Sequence, residues 1–108
     1  MSEYKNHVEI TGMVGQEPTI TNVEGGNKVS RFSLSTPSVL TNISGNEVET
    51  VNWNTIVAYK AVAQFVEHNV LKGSKIKVIG SLRTWPYTEN GNTRYITEVL
   101  ANYISLIK

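Results

Sequence analysis

From His7 to Val14 the chain reads His-Val-Glu-Ile-Thr-Gly-Met-Val. Apolar residues fall at every second position, the period of a strand with one face in a core. Gly12 inside this run predicts a bend or bulge, and Gly15 and Pro18 end it. A turn at Glu24-Gly25-Gly26-Asn27 precedes a second strand over Lys28 to Thr36, with Phe32 and Leu34 inward. Pro37 to Glu49, rich in Pro, Gly, Ser and Asn, reads as a loop. A third strand follows over about Thr50 to Tyr59. Ala61 to Leu71 is the one segment with helical spacing, placing Val62, Phe65, Val66 and Val70 on one face. Gly73 suits a left-handed helix cap, and Lys72 lies where it would favour the helix dipole. Lys75 to Arg83 alternates cleanly, with Ile76, Val78, Gly80 and Leu82 on one side and Lys75, Lys77, Ile79, Ser81 and Arg83 on the other. Asn90-Gly91 is a hairpin turn, and Arg94 to Ile107 forms the last strand.

Three strands, one helix and two strands is the order of an OB barrel. The expected class is therefore all-β: a five-stranded OB-fold barrel with one helix between strands 3 and 4. Interior glycines on long strands suit a small, tightly curved barrel. At 108 residues, positions 1-108 form one domain. The hydrophobic fraction of 40% can supply a core. There is no Cys, hence no disulfide framework and no thiolate metal site. The opening Met-Ser-Glu-Tyr-Lys-Asn is too polar for a signal peptide, and no apolar run is long enough to span a bilayer. The expectation is a soluble cytoplasmic protein, nucleoid-associated, with no membrane contact.

Net charge is only +1, so any basic surface must come from arrangement along the chain. The fourth strand supplies one. Lys75, Lys77 and Arg83 share a face whose parity continues into Trp85 and Tyr87. Single-strand binders need this pairing, because cations track phosphates while rings stack on bases of any sequence. The competing reading is a solvated strand face with its hairpin tip packed on a neighbour. Trp53 and Tyr59 share a face of the third strand. Spacing alone leaves them as barrel filling or as a second stacking platform, with filling favoured. Asn52 and Asn54 on the opposite face are odd core residues, which keeps both open. Catalysis finds little support. His7 and His68 have no metal-ligand spacing, there is no Asp, and no phosphate-binding or dinucleotide fingerprint occurs. No catalytic residue, metal or cofactor is expected.

In order along the chain, several segments resemble the bacterial single-stranded DNA-binding protein family. They are Asn6-x-Val8-x-x-x-Gly12-x-x-Gly15-x-x-Pro18; Trp53 followed by Tyr59; Leu71-Lys72-Gly73-Ser74; Gly80-Ser81-Leu82-Arg83-Thr84; and Arg94-Tyr95-x-Thr97-Glu98-Val99. The resemblance covers nearly the whole chain. It implies an OB-fold subunit, usually of a homotetramer, that wraps single-stranded DNA without sequence preference in replication, repair and recombination. By position it implies base stacking by Trp53, Tyr59 and Tyr87, with Trp85 beside the last. It offers Arg31, Lys60, Lys72, Lys75, Lys77 and Arg83 as phosphate contacts, with Lys75, Lys77 and Arg83 foremost.

Three departures qualify this. Val39 and Leu40 stand where family members often carry a loop Trp. Pro86 interrupts the hairpin between Trp85 and Tyr87. The sequence ends at Lys108, where typical members continue into a linker and an acidic tail that recruits partners. A domain without that tail is expected to recruit replication and repair proteins poorly. The same departure keeps an alternative: a tail-less OB-fold primosomal adaptor acting mainly through protein contacts. Assembly is expected as a homotetramer, with a dimer second, through the first strand with Glu9, Thr11 and Met13 outward.

Overall fold

The computed structural model describes residues 5–107; the polar opening at 1–4 and the final Lys108 lie outside them. Its elements are β1 (Val8–Val14), β2 (Thr19–Asn22), β3 (Lys28–Thr41), β4 (Glu47–Tyr59), α1 (Lys60–Asn69), β5 (Lys75–Glu89) and β6 (Asn92–Leu106). A short 3-10 turn at Glu24–Gly26 joins β2 to β3. The sheet order is β1-β5-β6-β4-β3-β2, and a further β1–β3 pairing closes it. The closed ring is β1, β5, β6, β4 and β3, with β4–β6 parallel at Ile56↔Val99 and the other pairs antiparallel. This is the five-stranded OB barrel with one helix that strand order predicts; β2 adds a short flap to β3.

Alternation fixes the core. Val14 of β1, Phe32 and Leu34 of β3, Ile56 and Ala58 of β4, Ile76 and Val78 of β5, and Val99, Ala101 and Ile104 of β6 fill the barrel. Helix α1 plugs it with Ala63 and Val66, while Val62 and Phe65 pack at the rim. Burying a Leu or Ile of this kind contributes roughly 1.5–3 kcal/mol each, so the barrel is held mainly by this interior.

Three expectations need correction. Pro37 to Glu49 is not a loop: β3 and β4 continue through it as a ladder from Pro37↔Val51 to Thr41↔Glu47, leaving only residues 42–46 to turn. The Asn42 side chain satisfies the amides of Ser44 and Asn46, which makes a polar, Gly-containing stretch compatible with a tight hairpin. Leu82 does not fill the barrel; it is half-exposed because β5 has already left the barrel by that point. The helix ends at Asn69, so neither Gly73 nor Lys72 belongs to its terminus. Instead Leu71-Lys72-Gly73-Ser74 is a turn closed by Ser74 N donating to Leu71 O, with Gly73 at φ +90 where a type II turn demands it. On one side β1 pairs with β5 along Val8–Met13, whereas on the other it meets β3 only at Met13 and Val14, so Val8–Gly12 keep an unpaired edge.

The strands β5 and β6 are 15 residues each, longer than the barrel needs. Their outer halves form a hairpin arm ending in the Asn90-Gly91 turn, where both residues have positive φ. The register slips between Ile79 and Gly80, where the arm departs. A Cβ on Gly80 would collide with the carbonyl oxygen of Leu100. Gly80→Ala should therefore cost about 1–3 kcal/mol or more in a denaturant melt, the usual price of overpacking against backbone. A melt indistinguishable from the parent would show that the bulge tolerates a side chain.

Candidate nucleic-acid interface

Residues directly opposite each other in a ladder share a face of the sheet. The register therefore collects one continuous outer face across β3, β4, β6 and β5. Arg31 and Ser33 of β3 lie opposite Val57 and Thr55 of β4, and Ser35 lies opposite Trp53. Arg83, Trp85 and Tyr87 of β5 lie opposite Glu98, Ile96 and Arg94 of β6. The four aromatic candidates all sit on this face and all reach solvent: Trp53 is 62% exposed, Tyr59 40%, Trp85 42% and Tyr87 44%. Trp53 thus lies outside the barrel, and Asn54 rather than Trp53 shares the inward parity of Ile56 and Ala58. Trp53 and Tyr59 are about 20 Å apart along β4, and Trp85 and Tyr87 about 7 Å apart along β5.

Trp53 is seated on backbone. Its six-membered ring lies over Gly15, with Cη2 2.9 Å from where a Cβ would stand. Beside it is an opening of about 230 Å³ lined by Gly15, Gln16, Ser33 and Trp53. A ring held on one side and open on the other is what a stacking platform requires.

The centre of the face carries an ion pair. Arg31 donates from Nε to Glu98 Oε2 at 2.8 Å and from Nη2 to Oε1 at 3.2 Å. The Glu98 side chain is 2% exposed and that of Arg31 56%. Donating these hydrogen bonds to Glu98 raises the Arg31 guanidinium above its already high ordinary value; burial opposes this, and the charge of Glu98 adds to it. Arg83, directly across the ladder from Glu98, has no salt-bridge partner among the described residues.

The remaining cations are dispersed. Lys60 opens the helix next to Tyr59, with a positive φ of 54. Lys75 and Lys77 share the outward parity of Arg83 but lie beside β1, at Met13↔Lys75 and Thr11↔Lys77. Lys77 reaches Glu9 at 3.7 Å. Lys72 lies in the turn before β5, its amide bonded to Glu17. Lys75 and Tyr87 are separated by about 40 Å of strand. The basic-then-aromatic stripe of β5 is therefore one face but two places. Arg94 joins the aromatic end, opposite Tyr87 and 3.3 Å from Glu89. It is absent from the sequence-derived set, although the two-residue Asn90-Gly91 turn already dictates that pairing.

The β3–β4 arm is chemically different. No Lys or Arg occurs between Arg31 and Lys60. Glu47 and Glu49 share the parity of Trp53, and Val39, Leu40, Ile43, Val48 and Val51 are exposed. This arm offers apolar contact without phosphate neutralisation.

The seat of Trp53 gives a test. Gly15→Ala must displace the ring but meets no other backbone obstacle. Its unfolding free energy should stay within roughly 0.5 kcal/mol of the parent, as for other surface changes. Titration with oligo-dT should lose part of the ~1–3 kcal/mol that a base–aromatic stack contributes. Unchanged affinity in the folded variant would detach Gly15 from the platform.

Comparison with known proteins identifies the family. The model of the single-strand binding protein family matches residues 5–107. A single-stranded DNA-binding protein of Bacteroides thetaiotaomicron is 33% identical over 105 residues, covering 94% of this chain and 65% of that protein. One from Xylella fastidiosa is 29% identical over 103 residues, covering 94% and 63%. The chain thus spans somewhat under two thirds of the length of these relatives. Among solved structures, the Plasmodium falciparum SSB in complex with ssDNA superposes with a TM-score of 0.88 at 29% identity, covering 100% of both chains. The single-stranded DNA binding protein of Thermus aquaticus shares the fold, with a TM-score of 0.84 at 22% identity over 96% of this chain and 51% of that one. With its barrel, its outward aromatics and a family match along all the described residues, the chain belongs to the single-strand binding protein family.

Proposed function

We propose that this chain binds single-stranded DNA without sequence preference and serves replication, recombination and repair in that capacity. The observation that carries the reading is the outer face on which Trp53, Tyr59, Trp85 and Tyr87 stand exposed around Arg31 and Arg83. Rings there can stack on bases, whose π-faces are common to all sequences, while flanking cations neutralise phosphates. Arg31, Arg83, Arg94 and Lys60 are the cations nearest the rings in strand register. Lys72, Lys75 and Lys77 come into play for a strand that continues round the barrel. The reading needs no metal, cofactor or catalytic group.

The same reading includes self-assembly. The outer face of β1, β5 and β6 exposes Met13 and Tyr103 around the Glu9–Lys77 ion pair, and Tyr103 lies opposite Ile79. A closed homotetramer built on this face would cover them, with a dimer as the second choice. Light scattering at micromolar concentration should give four times the subunit mass of 12.0 kDa. A monomer mass there would sink the assembly.

A second reading, the primosomal adaptor, draws on the cation-free apolar β3–β4 arm, a surface suited to a protein partner. Titration with oligo-dT while watching Trp fluorescence separates the two. The DNA-binding reading expects strong quenching, a loss of about 1–3 kcal/mol in each of Trp53→Ala and Trp85→Ala, and a log affinity that falls by roughly 0.7 per phosphate neutralised for each tenfold rise in salt. Absence of quenching at low salt, with the protein folded, would remove DNA binding and leave the adaptor.

A further inference from the structure

The number of cations on the outer face does not equal the number available to phosphates. Strand β6 lies between β4 and β5, so it separates the Trp53–Tyr59 platform from the Trp85–Tyr87 platform. Glu98 stands on that middle strand. The parallel register Ile56↔Val99 sets it level with Thr55, and Arg83 faces it from β5. A polynucleotide passing from one platform to the other must cross β6, and Glu98 is the carboxylate that β6 carries on this face. Glu98 is engaged by both arms of the Arg31 fork and is almost fully covered. Arg31 keeps its outer surface in solvent.

We propose that Glu98 is a charge-setting positioning residue of the DNA track: it cancels Arg31 and presents it as a planar stacking and donor surface toward bases, leaving Arg83 as the net cation at the crossing. Two physical arguments support this. A bidentate carboxylate occupies the paired N–H edge with which guanidinium would otherwise grip a phosphate. The plane of a guanidinium stacks on a base whether or not its charge is compensated. A carboxylate within a binding face for a polyanion is otherwise a liability. Pairing it beneath Arg31 turns it into a means of limiting affinity while ordering the side chain above it.

The inference rests on the single-strand binding reading, and the salt dependence of oligo-dT affinity tests it separately. In the parent, Arg31 should not count toward the slope, whereas Arg83→Gln should flatten it by about 0.7. Glu98→Gln releases Arg31 to a phosphate, so the slope should steepen by about 0.7 and affinity should rise at low salt. The paired variant Arg31→Met with Glu98→Met removes both charges and should keep the parent slope. Circular dichroism melts establish that each variant is folded. A folded Glu98→Gln with the parent slope, or a paired variant whose slope is flatter by about 0.7, overturns the proposal. If Glu98→Gln does not fold, the paired variant decides alone. A parent that fails to bind oligo-dT at all defeats the broader reading instead, so the two failures are distinguishable.

Discussion

At Gly80 the backbone of β5 runs so close to the Leu100 carbonyl that no side chain fits between them. Much of the molecule depends on that approach. It coincides with the register slip beyond which β5 runs out into the arm, while β6 stays in the barrel through Ala101 and Val99. On the barrel side, Ile76 and Val78 are sealed in the core; on the arm side, Leu82 is half-exposed and Arg83, Trp85 and Tyr87 are presented to solvent. One strand thus fills the core at one end and presents rings and a cation to solvent at the other, and the bulge is where the two meet.

Polar groups within the outer face are arranged to keep it open. The Arg31–Glu98 fork fills its centre with charge that is already satisfied. Trp53 lies on the backbone of Gly15 rather than on another side chain. Large apolar groups left in water carry a cost, and a face that retains four of them gives up stability that burial would supply. That cost is an ordinary mark of a binding surface.

The barrel was legible in the sequence because every buried strand segment alternates. Val14, Leu34, Ile56, Ile76 and Val78 are all buried residues on strands that the period identifies. The β3–β4 arm was not, because neither of its faces is buried. With Val39, Leu40, Val48 and Val51 all in solvent, no core imposes a period, and Pro37 and Ser38 read as a loop. Parity and family likeness name Trp53, Tyr59, Trp85 and Tyr87, and all four stand exposed on one face. Their surroundings were not legible. Glu98 lies 67 residues from Arg31 in the chain and Trp53 meets Gly15 across the fold, and only the closed barrel makes these neighbours.

Asn6 precedes the first assigned strand, yet it is bonded as if it belonged there. Its side-chain amide donates to Leu82 O and accepts from Leu82 N, each at 2.8 Å. A side chain here takes the place of a peptide unit. Where β5 leaves the barrel, its pairing with β1 would otherwise end in a bare donor and acceptor open to another extended chain. A carboxamide satisfies both groups but offers no backbone ladder beyond itself, so pairing cannot propagate. The side chain thus caps the β1–β5 ladder at the place where the barrel gives way to an arm, and leaves a neighbouring chain no ladder to extend there.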